Sequence, residues 1–113
     1  MPEVDSERTA RIRRLNDFLR CNNIGGQIVI TAGLAALGPE AVRRVMESVA
    51  AFKEFGPDND PHNEHDCAIV TVEGHSIIWK IDYYDLRLKY LSPDPSSESV
   101  TARVMTVMLA EEY

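Results

Sequence analysis

Cysteine is scarce in this chain. Cys21 and Cys67 are the two among 113 residues, too few and too far apart in sequence for a disulfide framework or a zinc knuckle, so reduced, partly buried thiols are expected. Positive charge is short as well, with 12 Lys and Arg against 18 Asp and Glu and a formal net charge of −6. Nucleic-acid backbones are held with Lys and Arg, and this balance disfavours direct nucleic-acid binding. No apolar run approaches the roughly 18 residues of a membrane helix, and the opening Met-Pro-Glu-Val-Asp-Ser-Glu-Arg has no hydrophobic signal region. A cytoplasmic protein without membrane contact is expected. Internal repeats and low-complexity tracts are missing too.

What is present is a globular composition, 44% hydrophobic and 27% charged, in a length able to bury most of the surface its unfolded form exposes. A single domain over residues 1–113 is expected. Its charge is uneven. Arg8, Arg11, Arg13, Arg14 and Arg20 crowd the first helix, while Glu54, Asp58, Asp60, Glu64 and Asp66 fall in a stretch without Lys or Arg. Two solvated faces are the ordinary reading of such runs.

Residues 5–21 predict a helix capped by Asp5 or Ser6, with Ile12, Leu15, Phe18 and Leu19 as its apolar stripe. The β-branched run Gln27 to Thr31 predicts a short, largely buried strand, ended by Gly33. Gly38-Pro39 opens a second helix, Val42, Val45, Met46, Val49 and Phe52 form its buried stripe, and Gly56-Pro57 stops it. Asp66 to Val72 and His75 to Tyr84, joined by Glu73-Gly74, predict a hairpin. Leu86, Leu88 and Tyr90 alternate with Arg87 and Lys89, which predicts a third strand over 85–91. After a turn at 92–97, Val100, Val104, Val107 and Met108 share one face of a last helix. The order α-β-α-β-β-β-α defines an α+β fold, a small, mainly antiparallel sheet of three or four strands packed with about three helices. An exposed edge at Gln27 to Thr31 or Leu86 to Leu91 would permit pairing into a homodimer.

Chemistry is densest at residues 58–66, Asp-Asn-Asp-Pro-His-Asn-Glu-His-Asp, which hold four carboxylates and two of the three histidines. An Asn59-Asp60-Pro61 turn accounts for part of it, because Asn and Asp cap turns through their own side chains. The Glu73-Gly74 turn fixes the hairpin register. Ala68 faces Trp79, Val70 faces Ile77 and Val72 faces His75 on an apolar side; on the other side Ile69 meets Ile78, Cys67 meets Lys80 and His65 meets Asp82. A polar patch of His65, Lys80, Asp82 and Tyr84 is therefore expected, with Asp82 orienting the His65 ring. His62, His65 and Asp66 are the candidate metal ligands, although the spacing is neither the helical His-Glu-x-x-His of zinc peptidases nor an EF-hand loop. Trp79 is expected in the core. The tyrosines lack the positive groove that single-stranded nucleic-acid binders combine with stacking.

The run at 58–66, Trp-Lys-Ile-Asp-Tyr-Tyr-Asp at 79–85, Ser-Pro-Asp-Pro at 92–95 and Met-Leu-Ala-Glu-Glu-Tyr at 108–113 resemble a family of small proteins of unknown function typical of proteobacterial plasmids and other mobile elements. The Leu37-Gly38-Pro39-Glu40 helix entry fits the same pattern, while Cys67-Ala68 departs from the aromatic residue and glycine expected there. The resemblance implies no catalytic or binding residues. It implies a setting, mobile DNA, in which inhibitors of host defence and regulatory binders are common.

Three functions follow as expectations. The first is a non-enzymatic protein-interaction module, in its sharp form an anti-CRISPR or anti-restriction inhibitor. Its carboxylates Asp58, Asp60, Glu64 and Asp66, with the hairpin face of His65, Lys80, Asp82 and Tyr84, would imitate phosphates toward a nucleic-acid-binding host enzyme. The second is a small hydrolase or nuclease with a divalent metal on His62, His65, Asp66 and Asp82; no other cofactor is expected. The third is a DNA-binding regulator acting through the arginine-rich first helix.

Overall fold

A computed structural model describes residues 6–113. Helix α1 (Glu7–Asn22) starts where the Ser6 hydroxyl accepts a hydrogen bond from the Thr9 N–H, and stops at Asn23 in the left-handed conformation, φ 56°. Asp5, the other candidate cap, lies outside the described residues. The buried face of α1 is Ile12, Asn16, Leu19 and Arg20, whereas Phe18, expected on the stripe, is 48% exposed. Strand β1 (Gln27–Ile30) leads into the single turn α2 (Ala32–Ala35) and then α3 (Pro39–Ala51), which buries Val45 and Val49 as its spacing predicts. Strands β2 (Cys67–Val72), β3 (His75–Tyr84) and β4 (Ala102–Leu109) follow, and a helical turn at Ala110–Glu112 closes the order.

The sheet runs β1-β4-β3-β2, with β4 parallel to β1 and antiparallel to β3. This is the α+β order read from the sequence, built from different segments at its end. Residues 85–91 do not form a strand. The Asp85 carboxylate accepts the Lys89 and Tyr90 N–H groups, Leu88 sits at φ 59°, and a single bridge joins Tyr84 to Leu91. The segment expected as the last helix is instead a short 3-10 turn, Glu98–Val100, followed by β4. As a strand paired on both sides, β4 leaves none of its residues exposed. Its apolar residues therefore occur on both faces, and the spacing of Val100, Val104, Val107 and Met108 imitates a helix. β1 departs from expectation in the other direction. As an edge strand it leaves three of its four residues exposed.

All three helices pack on one side of the sheet. Leu19, Leu34, Val45 and Val49 meet Ala68, Val72, Ile77, Trp79, Ile81, Met105 and Val107 in one core. Alternation along the strands leaves the opposite face to Cys67, Ile69, Ile78, Lys80, Asp82 and Tyr84 on the hairpin, and to Val29, Val104 and Thr106 beside it.

Candidate functional site

The hairpin register holds as expected from Cys67 opposite Lys80 to Val72 opposite His75. Its turn residues Glu73 and Gly74 have φ of 51° and 83°, the paired positive values of a type I′ turn. One further backbone bond, from Ile81 N–H to Asp66 C=O at 2.7 Å, extends the ladder. The ladder then ends, because His65 takes φ 53° and leaves the sheet.

His65 therefore does not face Asp82, and the expected pair is corrected. Its Nδ1 lies 2.9 Å from Asp17 Oδ1 on α1, its Nε2 lies 3.7 Å from Asp60 Oδ2, and its ring stacks on Phe55 at 3.8 Å with a 9° interplanar angle. Its own N–H donates to Asp60 Oδ1 at 3.1 Å. The left-handed backbone and these contacts, most of them distant in sequence, override continuation of the strand. Asp82 instead ion-pairs with Lys80, its same-face neighbour, and that bond raises the Lys80 pKa. Tyr84 lies opposite Ala102.

The acidic run divides between shape and surface. Asn59 accepts the Gly56 N–H (2.7 Å) and donates to Glu54 C=O (2.9 Å), the turn chemistry expected there. Asp58 and His62 are exposed. Asp60, read as partner-facing, is 5% exposed because the loop folds it beneath His65. Glu64 Oε1 accepts the Tyr83 hydroxyl at 2.8 Å. Asp66 is half-buried, and desolvation, with help from Glu64 and Asp60, holds its pKa above the usual carboxylate range. Among the described residues no three His, Cys, Asp or Glu side chains gather to hold a metal ion, so His62, His65 and Asp66 do not form a ligand set.

Sequence reasoning missed two buried polar centres. Asn16 donates to Glu64 C=O (2.9 Å) and lies 2.8 Å from the Tyr83 hydroxyl, while its Oδ1 accepts from Arg103 Nε at 2.7 Å. Arg103 also donates to Pro95 C=O and packs its guanidinium 5.0 Å from the Tyr83 ring centroid. Burial lowers the Arg103 pKa; burial, with Glu64, drives that of Tyr83 upward. This network fastens the acidic loop to α1 and β4. The second centre is Arg20. Its Nη1 donates to the carbonyls of Val49 (2.9 Å), Ala50 (3.2 Å) and Phe52 (2.8 Å), which closes the C-terminus of α3. The guanidinium lies over Phe55 and Trp79, at 5.3 and 5.1 Å, and pairs with Asp17 at 3.2 Å. The available signal was position: Asn16 and Arg20 follow Ile12 at four-residue intervals, on the face α1 turns to the core.

The arginine-rich helix is accordingly less basic outside than its composition suggests. Arg20 is buried, Arg8 pairs with Asp94 at 3.5 Å, and Arg13 donates to Asn63 C=O at 2.9 Å; Arg11 and Arg14 are exposed.

Two recesses flank the His65–Phe55 stack. One, of about 530 Å³, is lined by Asp17, Arg20, Cys21, Lys53 and neighbouring residues; the other, of about 280 Å³, lies beside Asp60, Pro57 and Pro61. Cys67 belongs to the outer sheet face, and desolvation, then Asp66, Asp60 and Asp82, push its thiol pKa up, away from the thiolate that nucleophilic chemistry needs. That face holds a third recess, a groove of about 550 Å³ lined by Cys67, Ile69, Ile78, Lys80 and Tyr113 together with Asp58 and Asn59. Ile69, within it, is 63% exposed.

Among the described residues no helix is long and apolar enough to cross a membrane. No curated protein and no solved structure matches the chain. A family model described as "Protein of unknown function (DUF3768)" matches residues 30–112, from the end of β1 through the closing turn. That span covers most of the sequence, and the chain belongs to this family of proteins of unknown function.

Proposed function

We propose that the chain is a non-enzymatic protein-interaction module of a mobile element, which grips its partner through the outer hairpin face and the exposed tip of the acidic loop. The observation that carries this reading is Ile69. It is a large β-branched side chain in mid-strand, 63% exposed, in a groove shared with Ile78, Lys80 and Tyr113 and rimmed by Asp58. An exposed apolar floor is surface that a partner can cover, and the Asp58 carboxylate beside it suits a partner bearing Lys or Arg next to an apolar contact.

The sharp form of the proposal is an acidic anti-defence inhibitor of a nucleic-acid-binding host enzyme. Such enzymes present basic surfaces to phosphates, toward which a protein of net charge −6 is steered. The resemblance of the 58–66, 79–85 and 108–113 motifs to proteins of proteobacterial plasmids supports the same setting. In this reading Asp58, Ile69, Lys80, Asp82 and Tyr84 meet the partner, whereas Asp60, Glu64, Asp66 and His65 hold the loop in shape.

The test combines two measurements. One is protection of incoming DNA in hosts that carry CRISPR or restriction systems; the other is capture of the inhibited enzyme by the purified chain. The wild type is expected to protect and to capture, and Ile69→Asp with Asp58→Asn to weaken capture by about tenfold or more with an unchanged melting temperature. Undiminished capture by that variant would remove this surface from the proposal. Failure to protect against any such system would remove the anti-defence role.

A further inference from the structure

We infer that the free edge of β1 pairs with β1 of a second copy of the chain, joining two sheets into one across a two-fold axis. This site is separate from the hairpin face and does not rest on the function proposed for it, since β1 and β2 are opposite edges of the sheet. The Thr31 N–H donates to Val107 C=O at 3.2 Å. Backbone direction alternates along a strand, so Val29 and Gln27 also turn their backbone groups to β4, and Ile28 and Ile30 turn theirs to the open edge. A two-fold axis at Val29 places Ile28 opposite Ile30 of the second copy, where both exchange N–H···O=C bonds. It also brings the two Val29 side chains together on the outer face. An identical strand supplies the complement without any other requirement.

Charge selects this edge and this occupant. Residues 21–39 contain no Asp, Glu, Lys or Arg, in a chain that is 27% charged. The Glu112 carboxylate, which accepts from Thr31 and Gly33, stands at the C-terminal end of β1. Pairing about Val29 sets the two copies' Glu112 side chains at opposite ends of the joined strands, so two copies each carrying −6 approach there without like charges meeting. The other edge, β2, is bounded by Asp66 and Glu73 with Asp58 close by, the kind of charge that deters edge pairing.

A four-residue strand is short for a stable dimer, and the flanking surface supplies the rest. Val29 is 45% exposed and Ile24 59%. The 85–91 loop extends this apolar surface at the start of β1, where Leu86 and Leu88 line a cleft with Gln27 and Val104. Leu88, at φ 59° in the Asp85-anchored turn, is 53% exposed, and this is apolar surface that the second copy covers.

The test is sedimentation equilibrium of the untagged full chain between about 1 and 100 μM. The wild type is expected at twice the 12.7 kDa chain mass, with slow amide exchange at Ile28 and Ile30. Val29→Lys is expected to give a folded monomer in which those amides exchange fast. Leu88→Asn, which suits the left-handed backbone and removes the apolar contact, is expected to raise the dissociation constant about tenfold or more. A wild type that stays monomeric across the range would overturn the inference. So would a dimer that persists in Val29→Lys or leaves the Ile28 and Ile30 amides unprotected.

Discussion

Arg20 shows how far a side chain's work can lie from its reading as charge. It closes three carbonyls at the end of α3 while its stem and guanidinium pack on Phe55 and Trp79. Arg20→Met keeps the packing and leaves those carbonyls without their donor, so we expect it to cost about 2 to 4 kcal/mol in urea unfolding. The exposed Arg14→Met should stay within about 0.5 kcal/mol. Asp66 offers a pH-dependent counterpart. Desolvation raises its folded pKa above the unfolded value, so the native state holds the proton more tightly and stability falls as pH rises between the two. Above the folded pKa the buried charge opposes folding in full. Asp66→Asn should therefore melt higher than the wild type at pH 7, with the advantage disappearing below the ordinary aspartate pKa. A thermal scan against pH reads this directly.

Two glycines separate rigid from yielding contacts between elements. A Cβ on Gly26 would collide with the Arg103 carbonyl of β4, a backbone atom, whereas one on Gly33 would meet the carboxylate of Glu112. That carboxylate accepts the Thr31 hydroxyl (2.6 Å), the Gly33 N–H (3.1 Å) and the Leu109 N–H (2.9 Å), tying the closing turn to the start of α2. Gly26→Ala should cost about 1 to 3 kcal/mol, because the strand must shift. Gly33→Ala needs only to displace Glu112, so Gly33→Ala and Glu112→Ala should be strongly non-additive in a double-mutant cycle. The Thr31 hydroxyl and these N–H groups lower the Glu112 pKa, so its contribution is present above the ordinary glutamate pKa and fades on acidification. At this scale the hairpin and α3 were legible, because Glu73-Gly74 and Gly38-Pro39 are local signals with local physics. β4 was not legible, since Val104 and Met108 on its outer face are apolar as well and hide the alternation of its burial. The 85–91 loop misled in the converse way: its alternating leucines face solvent around an Asp85-anchored turn.

The candidate site was legible only as far as the sheet register reached. Ile69, Ile78, Cys67 and Lys80 came together as the turn dictated, but His65 depends on Asp17 and Phe55, contacts that no local pattern announces. What the whole molecule adds is the relation between two surfaces. The sheet order sets β1 and β2 at opposite edges, so a dimer through β1 carries two of the proposed partner grooves at the far ends of the joined sheet, on the face that also holds the Val29 pair. The two properties should then separate. Val29→Lys should keep single-site affinity for the partner while losing the dimer, and Ile69→Asp should keep the dimer while losing the partner. Bivalency adds a further measurable consequence. On a surface densely coated with partner, both grooves of one wild-type dimer engage, and dissociation should be about tenfold or more slower than for Val29→Lys; on a sparse coating the two should dissociate alike. Equal dissociation rates at every coating density, from a protein proven dimeric in solution, would mean that the two grooves cannot be occupied together and that the dimer serves some end other than avidity.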